Sequence, residues 1–137
     1  MLNCINFKRL LFNSMKKFYI LFFLLITLNS IGQAKETTFN KEIFLKAQKE
    51  GKLVVVNSWN ETCTTCSEQI KILNQAKADF KNVIFLSFEQ TKDKETAKFL
   101  KIDYWTTIIV YKDNKEISRM IGQTDKDLIY SNIKKGI

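Results

Sequence analysis

Cys63 and Cys66, three residues apart in a chain of 137, are the side chains whose types and spacing suit covalent chemistry. A cysteine acts as a nucleophile in its thiolate form. A second thiol three residues further along a helix lies on the same face. The two sulfurs can therefore close a small disulfide ring with little backbone movement. That is the layout of a dithiol that cycles, in which one cysteine attacks and the other resolves the mixed disulfide.

The flanking residues supply the elements that must hold this pair. Leu53-Val54-Val55-Val56-Asn57-Ser58 is rich in β-branched residues and reads as a buried strand. From Ser67 to Phe80 the residues Ile70, Leu73, Ala76 or Lys77, and Phe80 recur at steps of three and four, which is helical spacing. The pair thus falls where a strand ends and a helix begins. Unpaired N–H groups and about half a positive charge at a helix N-terminus favour thiolate over thiol. Cys63 is expected to be the more exposed sulfur, with Cys66 one turn deeper.

Other uses of the pair make separate demands. The sequence has no histidine, which excludes a Cys-His or Ser-His catalytic pair and a histidine metal site. A closed zinc site needs four ligands, so two cysteines would serve only in a dimer that pools them around zinc or an iron–sulfur cluster. A permanently oxidised staple would restrain little of the unfolded chain, because the loop it closes is so short. These alternatives stay open at this point.

Residues 1–34 read as a secretory signal peptide: Lys16-Lys17 is basic, Phe18 to Leu28 is apolar but for Thr27, and Asn29 to Ala34 is small or polar. Cleavage is expected after Gly32 or Ala34, and Met15 makes a better start for this leader than Met1. The apolar run is shorter than the roughly 20 residues needed to span a bilayer; an uncleaved anchor is the alternative. On this reading Cys4 is lost, leaving residues 35–137 with two cysteines, a pattern suited to an oxidising compartment. The net charge of +8 includes Lys8, Arg9, Lys16 and Lys17 of the leader; removing these four leaves +4. The remaining bases are interleaved with acids and form no basic stripe, so no nucleic-acid partner is expected.

In the remainder, residues 35–39 read either as an edge strand or as a loose start. Thr38 or Asn40 caps a helix to about Glu50, with Ile43, Phe44 and Ala47 on one face, and Gly51 follows as its C-terminal stop. Strands are expected at Lys52–Trp59 and Val83–Phe88, parallel because a helix joins them. A short helix capped by Thr91 or Asp93 follows, then a loop from Lys101 to Trp105. Thr107–Tyr111 and Glu116–Ile121 form a hairpin around Asp113-Asn114. A last helix, Asp125–Lys135, presents Leu128, Ile129 and Ile133. Phe39, Phe44, Phe80, Phe85, Phe88 and Phe99 are expected in the core. The order is that of an α/β sandwich around a mixed sheet.

Val55 to Cys66, with Trp59 four positions before the first cysteine, then Ile102 to Tyr111 and Lys112 to Gly122, together resemble the thioredoxin superfamily. The likeness runs from about Lys41 to the C-terminus. It implies a thioredoxin-like three-layer α/β/α sandwich and a thiol–disulfide oxidoreductase, exported to the periplasm or cell envelope given the leader. Cys63 would be the nucleophile and Cys66 the resolving cysteine. Trp59, Asn57, Glu61 and Thr106 would support them, and Thr62, Thr64, Thr65, Trp105 and Thr106 would line the substrate groove. The resemblance implies no cofactor and no metal. The partners would be protein thiols and disulfides and a membrane redox partner that recharges the pair, with the chain a monomer and not inserted in the membrane after leader cleavage.

Four residues depart from the family's pattern. Thr106 stands where the family has a cis-proline, and a non-proline cis bond costs about 3 kcal/mol, so Trp105–Thr106 is expected to be trans. The Thr106 hydroxyl is a candidate to reach a sulfur or a substrate carbonyl. Asn57 replaces a buried Asp, and an amide cannot take the Cys66 proton, which leaves water or Glu61. Between the cysteines Thr64-Thr65 matches neither typical reductants nor strong oxidants, so the direction of exchange is open. With the proline and the acid both missing, a non-catalytic binding module using Trp59, Trp105 and Thr106 is the alternative function.

Overall fold

The computed structural model describes residues 35–137, so the leader expected over 1–34 lies outside the described residues. The elements are α1 (Lys41–Lys49), β1 (Val54–Trp59), α2 (Thr64–Asp79), β2 (Ile84–Glu89), α3 (Lys94–Phe99), β3 (Thr107–Lys112), β4 (Lys115–Ile121) and α4 (Lys126–Lys134). The strands form one mixed sheet in the order β2-β1-β3-β4. β1 runs parallel to β2 and antiparallel to β3, and β3 is antiparallel to β4.

β1 is central, and all six of its residues are buried. That explains the apolar run Leu53–Val56, since a strand covered on both faces has no solvent side; the polar Asn57 and Ser58 that follow are buried as well. Val54 and Val56 face Phe44 and Ala47 of α1, Ala97 of α3, and Leu86, Phe88 and Ile109. Val55 faces the opposite way, into Leu73 and Ala76 of α2, Ile129 and Ile133 of α4, and Ile108, Val110 and Met120. Two cores on the two faces of one sheet make the α/β/α sandwich expected from the sequence.

Local signals place the ends. The Asn40 side chain accepts from the Ile43 N–H at 3.0 Å, Asp93 from Thr96 at 2.9 Å and Asp125 from Leu128 at 3.0 Å, each capping a helix at a cost of about 1 kcal/mol if removed. Gly51 follows α1 with φ +66°, and a Cβ there would also meet Asp113 Oδ1 at 2.9 Å. Asp113 and Asn114 both have positive φ, 50° and 60°, the geometry of a two-residue hairpin turn that follows the strand twist.

Several expectations change. Residues 35–39 form no strand; they run beside the outer edge of β2, with the Thr38 and Phe39 N–H groups donating to the Ser87 carbonyl at 2.8 and 2.9 Å. Ile43 and Leu128 are half exposed, because α1 turns Phe44, Ala47 and Gln48 inward and α4 turns Ile129 and Ile133. Phe99 lies at the surface, edge-on to Phe44 at 5.9 Å and under the Lys41 ammonium. On α2 the buried stripe is Cys66, Gln69, Leu73 and Ala76, while Lys77 is exposed. A glutamine thus occupies a core position that an apolar count assigns to Ile70.

Candidate functional site

Cys63 and Cys66 are joined in a disulfide with their Cα atoms 5.3 Å apart. β1 ends at Trp59, a turn spans residues 60–62, and Cys63 is the N-cap of α2. In place of the usual oxygen, Cys63 Sγ accepts the Cys66 N–H at 3.0 Å. The first cysteine therefore lies where the backbone donors of the helix start converge. It is partly exposed, whereas Cys66 is fully buried. Cys66 Sγ lies 3.4 Å from the Trp105 carbonyl oxygen, which can accept a hydrogen bond from the Cys66 thiol once the disulfide opens.

Asn60 organises the turn. Its Oδ1 accepts from the Thr62 N–H at 3.0 Å and the Thr62 hydroxyl at 2.9 Å, and its Nδ2 donates to Glu89 Oε1 at 3.2 Å. Glu89, at the end of β2, is buried. Burial pushes its carboxyl up, but the Thr91 hydroxyl, the Lys92 and Thr91 N–H groups and the Lys92 charge together hold it below the usual range. Beneath the turn, the Lys35 ammonium donates to the carbonyls of Asn60 at 2.9 Å, Glu61 at 2.8 Å and Cys63 at 3.2 Å.

The second wall is the loop before β3. The Ser58 hydroxyl donates to the Tyr104 carbonyl at 2.9 Å, and the Thr107 hydroxyl donates to the same oxygen at 2.5 Å. Gln69, fully buried on α2, donates through Nε2 to the carbonyls of Thr106 and Gln123, both at 3.0 Å. The Gly122 N–H adds a bond to Thr106 O at 2.9 Å. No peptide bond among the described residues is cis, so Trp105–Thr106 is trans, and Gln69 pins the loop to the helix that carries the cysteines.

The expected site residues divide accordingly. Thr106 is half-buried and engaged through its carbonyl; the contact to a sulfur comes from the Trp105 carbonyl instead. Thr62 and Thr64 are exposed, and Thr65 is partly buried beside the sulfurs. Tyr104 and Trp105 stand 61% and 48% exposed in the loop before β3. Trp59 is buried behind the turn, with its indole N–H unpartnered among the described residues. Glu61 is exposed and pairs with Lys92 at 3.1 Å. Asn57 is buried, and its Oδ1 has no partner among the described residues; it lines a cavity of about 100 Å³ with Leu73, Asn74, Lys77 and Phe85. Lys35, Gln69 and Glu89 were not singled out by sequence reasoning. Only Gln69 left a signal, its i+3 spacing from Cys66.

The thioredoxin family model matches residues 30–135. The chain belongs to the thioredoxin family. It is 28% identical to thioredoxin of Chlamydia trachomatis over 83 residues, 61% of this chain and 81% of that one. To a thioredoxin H-type of Fagopyrum esculentum it is 24% identical over 89 residues, 65% of this chain and 77% of the relative. Among solved structures, Trxlp from Edwardsiella tarda superposes with a TM-score of 0.66 at 21% identity, covering 69% of this chain and 94% of that one. Fasciola hepatica thioredoxin gives 0.63 at 21% identity, covering 70% and 90%. Those two likenesses speak to the thioredoxin fold. As a thioredoxin-family redox protein, the chain carries its disulfide between Cys63 and Cys66.

Proposed function

We propose that this protein is an exported thiol–disulfide oxidoreductase of the cell envelope that exchanges disulfides with other proteins. The unequal exposure of the two sulfurs carries this reading: Cys63 is reachable from solvent at a helix N-terminus, and Cys66 is buried behind it. In the reducing direction, the Cys63 thiolate attacks a substrate disulfide, forming one S–S bond and expelling one substrate thiolate. Cys66 then loses its proton and attacks Cys63 Sγ, which re-forms the internal disulfide and releases the second substrate thiolate. Two electrons pass to the substrate; the oxidising direction is the reverse. Asn57 cannot take the Cys66 proton, and Glu61 is turned toward Lys92, so the proton leaves to water past the Trp105 carbonyl. Tyr104 and Trp105 offer the substrate chain an apolar surface beside the sulfurs.

The test is disulfide reduction in a model protein such as insulin, followed by turbidity. Cys63→Ser is expected to abolish it, and Cys66→Ser to accumulate mixed disulfides. Full activity in Cys63→Ser would overturn the assignment. The direction follows from equilibration in glutathione buffers: a potential near about −270 mV fits a reductase recharged through the membrane, and one near about −120 mV an oxidase. Fractionation of cells producing the full chain tests export.

A further inference from the structure

Among the described residues, the cation that reaches the backbone of the active-site turn comes from outside it. Among the described residues the Lys35 ammonium alone hydrogen-bonds the backbone carbonyls of Asn60, Glu61 and Cys63, at 2.8–3.2 Å. It is brought there by residues 36–39. The Thr38 and Phe39 N–H groups bind the Ser87 carbonyl, the Ser87 N–H binds Thr38 Oγ1 at 3.0 Å, and the Glu89 N–H binds Thr37 Oγ1 at 3.3 Å. The strap thus fixes where Lys35 can reach.

We infer that Lys35 is a positioning residue for the redox pair, holding the turn that aims Cys63 and placing a positive charge beside its sulfur. An oxygen and a sulfur four bonds apart in one cysteine span under about 5 Å, so the ammonium, 3.2 Å from the Cys63 oxygen, lies within about 8 Å of Sγ. That distance is about one Debye length at physiological salt, and the group is part-buried, so the attraction survives screening in part. The other charged groups of the turn and helix start are ion-paired, except Glu89, whose carboxylate is hydrogen-bonded to Asn60 of the turn itself. Glu61 pairs with Lys92 at 3.1 Å and Glu68 with Lys71 at 2.9 Å, while Glu89 is met by Thr91, the Lys92 N–H and Asn60. Among the described residues Lys35 is therefore the cation at the turn that no carboxylate pairs with, and its loss leaves the Glu89 carboxylate as the unpaired charge there.

This inference deepens the proposed function, but its readout does not need turnover. In the reduced Cys66→Ser background, iodoacetamide alkylation of Cys63 is followed across pH for Lys35, Lys35→Met and Lys35→Arg. Lys35→Met is expected to move the midpoint upward and to slow alkylation below it about three- to tenfold, the size of a half- to one-unit change. Lys35→Arg, which keeps the charge, is expected to keep most of the wild-type profile. In the protein that keeps both Cys63 and Cys66, Lys35→Met also shifts the glutathione equilibrium toward the disulfide, since only the reduced form loses the attraction. Superimposable profiles for Lys35→Met and wild type, or equal shifts for Met and Arg, overturn the inference. A shifted profile in a protein that exchanges no substrate disulfide would uphold it and sink the function proposal instead.

Discussion

Replacing Gln69 tests whether the loop before β3 is held by a buried amide. Gln69→Leu keeps the approximate volume and removes the Nε2 donor. Thr106 O retains the Gly122 N–H, while Gln123 O loses its side-chain donor. Leaving a part-buried carbonyl unpaired costs about 1–2 kcal/mol, and losing the second bond adds about 1 kcal/mol. Against this, Gln69 Oε1 is already buried without a partner, and leucine abolishes that penalty. The net expectation is a loss of about 1–2 kcal/mol, or a fall of about 1 M in the urea midpoint of the oxidised protein. Gln69→Glu keeps the shape but aims a carboxylate at two carbonyl oxygens. An uncompensated buried charge costs about 3–5 kcal/mol, so at pH 7 this variant should be the least stable of the three. It should recover below pH 5, where a protonated carboxyl can donate to one of the carbonyls. Urea titrations at pH 7 and pH 4.5 decide it. If Gln69→Glu is as stable as Gln69→Leu at pH 7, the amide is not pinning the loop as described.

Three further outcomes follow from the same geometry. Phe88 is fully buried against Phe39, so Phe88→Ala should cost about 3–5 kcal/mol in denaturant titration. Because the Glu89 carboxyl is held below its ordinary value of 4.5, the stability it contributes is full above that pH and lost as pH falls through the lower folded value. Glu89→Gln should therefore flatten the acid limb of the stability–pH curve below about pH 4.5, as thermal melts across pH will show. Asn57→Asp should speed release of mixed disulfides in stopped-flow traces by supplying a proton acceptor. Because the site is buried, the same variant should lose about 1–3 kcal/mol at pH 8 and less at pH 5, where the new carboxyl is protonated.

The features readable from sequence are those set by local chemistry. The apolar run of β1, the Asn40 cap, Gly51 and the Asp113-Asn114 turn each answer to a backbone requirement within a few residues. So does the placing of Cys63 at a helix start. The features not readable arise from distant parts of the chain. Lys35 meets the turn across some 25 residues of sequence, and Gln69 meets Gln123 across 54. Nothing near either residue announces the carbonyls it serves. Ile43, Phe99 and Leu128 misled for a related reason: periodicity finds the apolar stripe, but the helix's rotation over the sheet decides which member of a neighbouring pair goes inside.

The strap over residues 36–39 has a bearing on how the protein is handled. β2 is an outer strand of the sheet, and an outer strand with free amides and carbonyls is a template on which another chain can add. The Ser87 amide and carbonyl are taken by Thr38 and Phe39 and the Glu89 amide by Thr37, and the Ser87 hydroxyl is occupied by the Glu36 carbonyl. The segment acts as a selvedge that keeps the weave from picking up foreign thread. A shortened chain beginning at Asn40 would keep both cysteines yet expose that border and take Phe39 from the core around Phe44 and Phe88, and its failing would show as self-association in concentrated solution together with a lowered stability.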